Sequence, residues 1–426
     1  MRGLLFLCSQ MRNGSMSYLK KPISLPCGVT LPNRLVKAAM SENMARNLNP
    51  GVEFVNAYKM WANGGTGLLI SGNVMIDSRH LGEPNNVVIE KGRDNKEALK
   101  DWAAATSGTD TKLWIQINHP GKQSPKFLNK TPVAPSAIPL SGSLAASFCT
   151  PRVLTELEIY EIIERFGHSA KMVKECGFHG VQIHGAHGYL VSQFLSPRHN
   201  VRTDDFGGSL ENRMRFVKEV YSKMRAEVGP HFPIGIKLNS ADFSKGGFSN
   251  EDAVAVAQSL SAMGIDMIEI SGGSYEAPAM MGARKDSTLK REAYFLDYAR
   301  EIKKLIRCPL MVTGGFRTRS FLEEVLKNDE VDLIGMARPL AINLHLCNQL
   351  LGGEDVVSQI QTLTSGFKKI DAMFPLEVIW YASQIHRMGK NQLPDPKASV
   401  YPSILKTIAN VGLAGLKRFC LHCKEL

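Results

Sequence analysis

The stretch Cys176-Gly-Phe-His-Gly-Val-Gln-Ile-His-Gly-Ala-His-Gly-Tyr189 contains a helix end, a strand and the loop that follows the strand, in the order that repeats along the chain. It opens where the amphipathic segment Leu157–Cys176 reaches a glycine, the residue that most readily adopts the left-handed conformation of a helix cap. The apolar run Gly180–Ile183 then has the length of a buried strand. Two histidines and a tyrosine follow it, so hydrogen-bond donors gather where the strand opens into a loop.

The same alternation of strand and helix recurs along the chain. Eight apolar runs of strand length are present: Arg34–Ala38, Gly67–Ser71, Leu113–Ile117, Gly180–Ile183, Ile234–Leu238, Asp266–Ile270, Pro309–Val312 and Val331–Ile334. Amphipathic segments separate several of them: Leu157–Cys176, Asn212–Val228, Asn250–Met263, Phe295–Ile306 and Ser320–Lys327. Because parallel strands need crossover helices, this order predicts an α/β protein with a (β/α)8 TIM barrel. An open doubly wound sheet is the alternative, but it requires a glycine-rich turn after the first strand, where Ala38-Ala-Met-Ser41 stands.

The composition excludes some classes of partner. The net charge of +11 arises at the two ends of the chain, since residues 1–41 and 368–426 are basic and the body between them is neutral. This distribution does not favour a nucleic-acid partner. No apolar run approaches the roughly 20 residues of a membrane span, and contact with a membrane surface is not favoured either. A homo-oligomer is left open.

We expect three segments along the chain. Residues 1–17 form a leader that is disordered or a weak targeting signal, residues 18–353 form the (β/α)8 barrel, and residues 354–426 form a helical extension. The eight scattered cysteines indicate reduced thiols in the cytoplasm, with a mitochondrial location as the alternative. Cys420 and Cys423 have metal-like spacing, but a single pair is weak evidence for a metal site.

Polar and small residues cluster where the predicted strands end. In a TIM barrel these ends share one rim, where active sites lie. Glycines after the last two strands, with Arg338 beside them, are suited to a phosphate, which binds bare backbone N–H groups and a guanidinium. A phosphate-bearing ligand is therefore expected at this rim.

The segments Gly177–Pro197 and Asp204–Arg213 resemble the Old Yellow Enzyme family of FMN-dependent NAD(P)H oxidoreductases, also known as ene-reductases. The resemblance extends from about Leu19 to Leu346, and Asp204-Asp-Phe-Gly-Gly-Ser-Leu-Glu-Asn-Arg213 is its most specific part. It implies FMN as cofactor and NAD(P)H as reductant. The implied partner is a small-molecule enone or a similar activated alkene.

The resemblance also implies roles for particular residues. His184 and His187 would bind the substrate carbonyl oxygen, and Tyr189 would protonate the α-carbon after hydride from flavin N5 reaches the β-carbon. Ten positions match the cofactor site: Ala39, Met40, Ser41, Gly72, Gln116, Lys237, Gly314, Gly315, Ala337 and Arg338. Among these, Gln116 would face the pyrimidine edge, Lys237 flavin N1 and O2, and Gly72 would let the ring approach the backbone. The last four would bind the phosphate.

Because of three departures from the family pattern, the substrate preference of the family cannot be carried over to this chain. Ser41 stands where many relatives have cysteine or threonine, Asn43 where several bacterial members have tyrosine, and His119-Pro-Gly-Lys122 where His-Ala-Gly-Arg is common. Two other functions remain open at this point. One is a metal-dependent barrel hydrolase that uses His184 and His187 as ligands, and the other is a barrel without catalytic activity.

Overall fold

Eight parallel strands close into a barrel in a computed structural model that describes residues 17–142, 145–273, 276, 293, 295–358, 360 and 363–422. The strands are β1 (Leu35–Lys37), β2 (Leu68–Met75), β3 (Lys112–Asn118), β4 (Gly180–Gly185), β5 (Ile234–Asn239), β6 (Met267–Ser271), β7 (Leu310–Thr313) and β8 (Leu333–Met336). Val36 of β1 pairs with Leu68 of β2 and with Gly335 of β8, which closes the sheet. The predicted (β/α)8 barrel is confirmed, and the open doubly wound sheet is excluded.

Helices surround the barrel and continue after it. They are α1 (Val52–Asn63), α2 (Lys96–Ala103), α3 (Glu156–Glu175), α4 (Leu190–Leu195), α5 (Leu210–Val228), α6 (Asn250–Ala262), α7 (Leu296–Lys303), α8 (Arg319–Lys327), α9 (Leu346–Gly352), α10 (Lys368–Met373), α11 (Leu376–Gly389) and α12 (Tyr401–His422). The leader through residue 16 and Cys423 lie outside the described residues. No helix of the described chain has both the length and the apolar character of a membrane span.

Local sequence signals explain where several helices begin and end. Thr155 caps α3, because its side chain accepts a hydrogen bond from the backbone of Glu158, whose carboxylate accepts one from the Thr155 backbone in return. Gly177 and Gly264 follow α3 and α6 with φ of +89° each, the left-handed conformation that favours glycine. The glycine expected to terminate α3 therefore does so, and Gly264 ends α6 in the same conformation.

Buried side chains from the strands pack together in the barrel interior. Trp114 of β3 is fully buried there, and a Cβ atom on Gly180 would lie 2.5 Å from its indole nitrogen. The glycine on the neighbouring strand therefore makes room for the tryptophan. A short hairpin before β1, Ile23–Ser24 paired with Thr30–Leu31, packs Leu31 against this interior layer.

Lys37 is a fully buried lysine on the outer face of β1. Its ammonium donates to the backbone carbonyl of Ile70 at 2.8 Å and lies 4.5 Å from the centre of the Trp61 ring. Burial lowers the pKa of Lys37 to about 8. Below that pH the folded chain must hold a positive charge in its interior, whereas the unfolded chain exposes it to water.

We expect Lys37→Met to be more stable relative to the wild-type chain at pH 7 than at pH 10. The pKa of Lys37 is lower in the folded state, so the free energy of unfolding of the wild type rises between pH 8 and 10.5 by about 3 kcal/mol from this group. Chemical denaturation over this pH range measures the difference. Lys59→Met, at an exposed position of α1, is the control, and parallel stability curves for Lys37→Met and wild type would contradict the prediction.

Candidate functional site

A cavity of about 270 Å³ opens at the rim formed by the carboxyl ends of the strands. Every residue predicted for the site lines it except Gly315, which follows the lining residue Gly314. The lining residues from that prediction are Ala39, Met40, Ser41, Gly72, Gln116, His184, His187, Tyr189, Lys237, Gly314, Ala337 and Arg338. The structure therefore brings together predicted residues from seven of the eight strands, all except β6.

His184 and His187 are neutral imidazoles whose rings lie 5.2 Å apart, between centroids. Burial lowers the pKa of His187 to about 3, and burial with nearby His187 and Lys237 holds the pKa of His184 well below its usual value. The Nδ1 of His184 accepts a hydrogen bond from the Ala186 backbone at 3.3 Å. A neutral imidazole that accepts at Nδ1 carries its proton on Nε2, so His184 is a neutral donor.

The backbone at His187 is held in an unusual conformation. Its φ is +62°, in the left-handed region that costs energy for residues other than glycine. The Asn239 side chain accepts from its N–H at 3.0 Å, Gln123 donates to its carbonyl at 3.1 Å, and its Nε2 lies 2.9 Å from the Ser271 hydroxyl. These contacts from separate segments fix the ring toward the cavity.

Tyr189 lies against His184, with ring centroids 4.8 Å apart. The phenol oxygen accepts a hydrogen bond from the amide of Asn73 at 3.3 Å, and Asn73 in turn accepts from Asn118 at 3.3 Å. In the contact with Asn73 the tyrosine is the acceptor, so this contact does not use its own proton. A phenol held by a donor can give that proton to another group.

A buried glutamate, Glu269 on β6, connects the polar residues across the barrel. One of its oxygens accepts from Lys237 at 2.9 Å and from the Thr313 hydroxyl at 2.7 Å, and the other accepts from Gln182 at 2.7 Å. The glutamate is fully buried and Lys237 is nearly so. Sequence reasoning missed Glu269, since a residue in the middle of a strand was not considered for the rim.

The carboxylate of Glu269 sets the orientation of Gln116. A carboxylate only accepts, so Gln182 must donate to it from its NH2 group, which leaves the Gln182 oxygen to accept from Gln116 at 2.7 Å. The NH2 group of Gln116 makes this bond, and its carbonyl oxygen remains to accept. The site therefore offers an acceptor beside the lysine ammonium.

Two other predicted residues have neighbours that the sequence did not reveal. The Ser41 hydroxyl donates to Glu83, a carboxylic acid that lines the cavity and whose pKa is raised by burial. Gly72 lies against Glu42, and a Cβ atom there would be 2.2 Å from the Glu42 carboxylate. The backbone carbonyl of Met40 would be equally close, at 2.2 Å, so the need for glycine at this position arises from Met40 and Glu42 together. An approach of the flavin ring to Gly72 stays a prediction.

The far end of the cavity has the features of an anion site. Gly314 and Gly315 have φ of +113° and +87°, conformations that favour glycine, and the Arg338 guanidinium lies on the next strand end. Helix α11, which follows the barrel, forms one wall. Its lining residues are Glu377, Val378, Tyr381, Ala382 and Ile385, none of which sequence reasoning assigned to the site.

These features fit FMN. The Gln116 oxygen can accept from the N–H of a pyrimidine edge, and Lys237 supplies a cation beside it. At the other end, the two glycines and Arg338 suit a phosphate. The hydroxyl of Tyr381 lies buried there without a hydrogen-bond partner among the described residues, which a phosphate oxygen would supply.

The metal-dependent alternative gains no support from this geometry. Among the described residues, no three histidine, cysteine or carboxylate side chains lie close enough together to hold a metal ion. His184 and His187 therefore have no described third ligand.

Comparison with known proteins identifies the family. Residues 18–353 match the model of the NADH:flavin oxidoreductase / NADH oxidase family. An NADH-dependent flavin oxidoreductase of Neonectria sp. is 40% identical over 76% of this chain, which spans 45% of that relative. One from Hypocrea jecorina is 38% identical over 82% of this chain and 92% of its own length. The old yellow enzyme homologue of Zymomonas mobilis shares the fold, with a TM-score of 0.68 at 24% identity over 82% of this chain and 97% of its own.

The family match covers the barrel and the residues that line the cavity up to Arg338. The chain therefore belongs to the NADH:flavin oxidoreductase / NADH oxidase family, of the Old Yellow Enzyme type, and is an FMN-dependent oxidoreductase that takes its electrons from NAD(P)H.

Proposed function

We propose that the enzyme reduces the carbon–carbon double bond of an α,β-unsaturated carbonyl compound. FMN, held by the cavity residues, would supply the redox chemistry: a hydride taken from NAD(P)H and given to the β-carbon of the substrate. One observation carries the proposal: neutral His184 and His187 face the same cavity as the hydroxyl of Tyr189.

The two histidines can bind the carbonyl oxygen of such a substrate. Charge develops on that oxygen as hydride reaches the β-carbon, and preorganised N–H donors in a dry site stabilise it. Because both pKa values lie well below 7, the pair donates without adding positive charge that would compete with Lys237. The donor strength therefore stays constant over the physiological pH range.

Tyr189 is the proposed proton donor to the α-carbon. Asn73 holds its oxygen, and the ring of His184 supports its face. A general acid positioned in this way typically contributes a factor of about 10² to 10⁴. The names of the fungal relatives support NADH as the reductant.

The remaining cavity residues have proposed roles toward FMN. Gln116 and Lys237 would bind the pyrimidine edge, Ala39, Met40 and Ser41 would line the ring, and the residues around Gly314 and Arg338 would bind the phosphate. The division into a barrel at 18–353 and an extension at 354–426 also stays a prediction.

Reconstitution with FMN tests the proposal. We expect the purified chain to bind FMN, to lose its absorbance near ~450 nm when NADH is added without oxygen, and to regain it when an enone is added. The same enone with its double bond already reduced is the control. Bleaching by NADH without recovery by any of a panel of enones would contradict the proposed substrate class, and a chain that binds no FMN would contradict the proposal as a whole.

A further inference from the structure

Arg338 already has an anionic partner inside the cavity. Its guanidinium forms an ion pair with the carboxylate of Glu377, in the first turn of α11. Both side chains are about a quarter exposed, and both line the cavity. A carboxylate thus lies at the end of the cavity that would receive a phosphate.

The surroundings of this pair also favour an incoming phosphate. Tyr381 lies one helical turn after Glu377 on the same face of α11, and it is 4% exposed with its hydroxyl unpartnered among the described residues. Its hydroxyl cannot compensate for being buried unless an acceptor arrives. Glu377 does not supply that acceptor, whereas a phosphate on Arg338 would bring three oxygens to the same place.

We infer that Glu377 occupies the phosphate position on Arg338, so that it lowers the affinity of the chain for FMN and leaves its affinity for riboflavin unaffected. A bound phosphate carries nearly two negative charges at neutral pH and competes for the same guanidinium. When phosphate binds, the half-buried carboxylate of Glu377 must lose some of its contact with Arg338, which costs free energy. Glu377 makes the site less selective for the phosphorylated flavin than the glycines and the arginine alone would.

A purely structural role of Glu377 predicts something different. An acid in the first turn of a helix interacts favourably with the helix dipole, and this alone would explain the residue. Its replacement would then change the stability of the chain slightly and affect both flavins equally. The affinity ratio of FMN to riboflavin therefore separates the two roles.

The experiment is a titration of the flavin-free protein with FMN and with riboflavin, followed by quenching of flavin fluorescence. We expect Glu377→Gln, which keeps the shape of the side chain, to tighten FMN binding about tenfold and to change riboflavin binding less than about twofold. Tyr381→Phe should weaken FMN binding by about tenfold with riboflavin again unchanged. Glu324→Gln, an exposed acid on α8, changes the net charge equally and should leave both affinities as they are.

Weaker FMN binding by Glu377→Gln, or equal changes for both flavins, would overturn the inference. Inorganic phosphate gives a second readout, since it should raise the melting temperature of Glu377→Gln more than that of the wild type. The inference rests on the proposed function only in requiring that the cavity binds FMN. A wild-type chain that binds neither flavin would contradict both the proposed function and this inference. If the wild type binds FMN but Glu377→Gln has the same affinity ratio of FMN to riboflavin, only the inference is contradicted.

Discussion

Replacing Tyr189 by phenylalanine should slow the transfer of hydride and proton to an enone by a factor of about 10² to 10⁴. The rate at which NADH reduces the flavin should stay within a few-fold of the wild type. Reduction by NADH needs no proton from the phenol, because the hydride carries both electrons. The second half-reaction needs a proton at the α-carbon. Rapid mixing of each half-reaction, followed by the flavin absorbance, measures the two rates separately.

The contacts of Tyr189 supply controls for this variant. Asn73→Ala removes the donor to the phenol oxygen and should slow the same half-reaction by about tenfold, as expected for loss of one positioning hydrogen bond. Tyr160→Phe removes a hydroxyl on the outside of α3 and should change neither rate. If Tyr189→Phe slowed both half-reactions equally, the residue would be a binding group and another group would supply the proton.

Replacing Glu269 by alanine should reduce the free energy of unfolding by about 3–5 kcal/mol, the usual result of leaving a buried charge without its partner. The ammonium of Lys237 would remain at the barrel centre, and Gln182 and Thr313 would lose their acceptor. Chemical denaturation of the flavin-free protein measures this loss without interference from cofactor binding.

A double variant tests whether the unpaired charge is the cause. Lys237→Met together with Glu269→Ala removes both charges and should be more stable than Glu269→Ala alone, even though it carries one more substitution. If the double variant loses the sum of the unfolding free energies that the two single variants lose, the ion pair is not what stabilises this layer. In that case the loss would come from the hydrogen bonds of Gln182 and Thr313.

The rim was predictable from the sequence because polar residues come directly after apolar runs. A parallel barrel places such residues together whatever the details of packing, so His184 and Arg338 could be assigned to one site, whereas Lys237, inside its strand, was assigned through the family resemblance. Glu269 could not be found in this way, since it lies within Met267-Ile-Glu-Ile-Ser271. One signal was present: a carboxylate within an otherwise apolar strand needs a buried partner, and Lys237 lies in register with it on the next strand.

The segment that is most specific to the family contributes little to the cavity. Ser209 caps α5, and Arg213 donates to the carbonyls of Leu195 and Gly208 and pairs with Asp252 of α6. These contacts hold the loops after β4 in place. Asp204–Arg213 therefore identified the family through residues that stabilise the fold and not through residues of the cavity.

Helix α11 was missed as a wall of the cavity because its residues follow the barrel in sequence.

Helix α11 forms one wall of the cavity but is not part of the barrel sheet. Five of its residues line the cavity. They belong to a different part of the chain from His184, Tyr189 and Lys237, which lie on strands of the barrel or on the loops after them. Substitutions on this one helical face change the cavity wall and leave the strands that carry the proposed catalytic residues as they are. Since α11 lines the cavity but contributes no strand to the barrel, the shape of this wall can vary independently of the barrel.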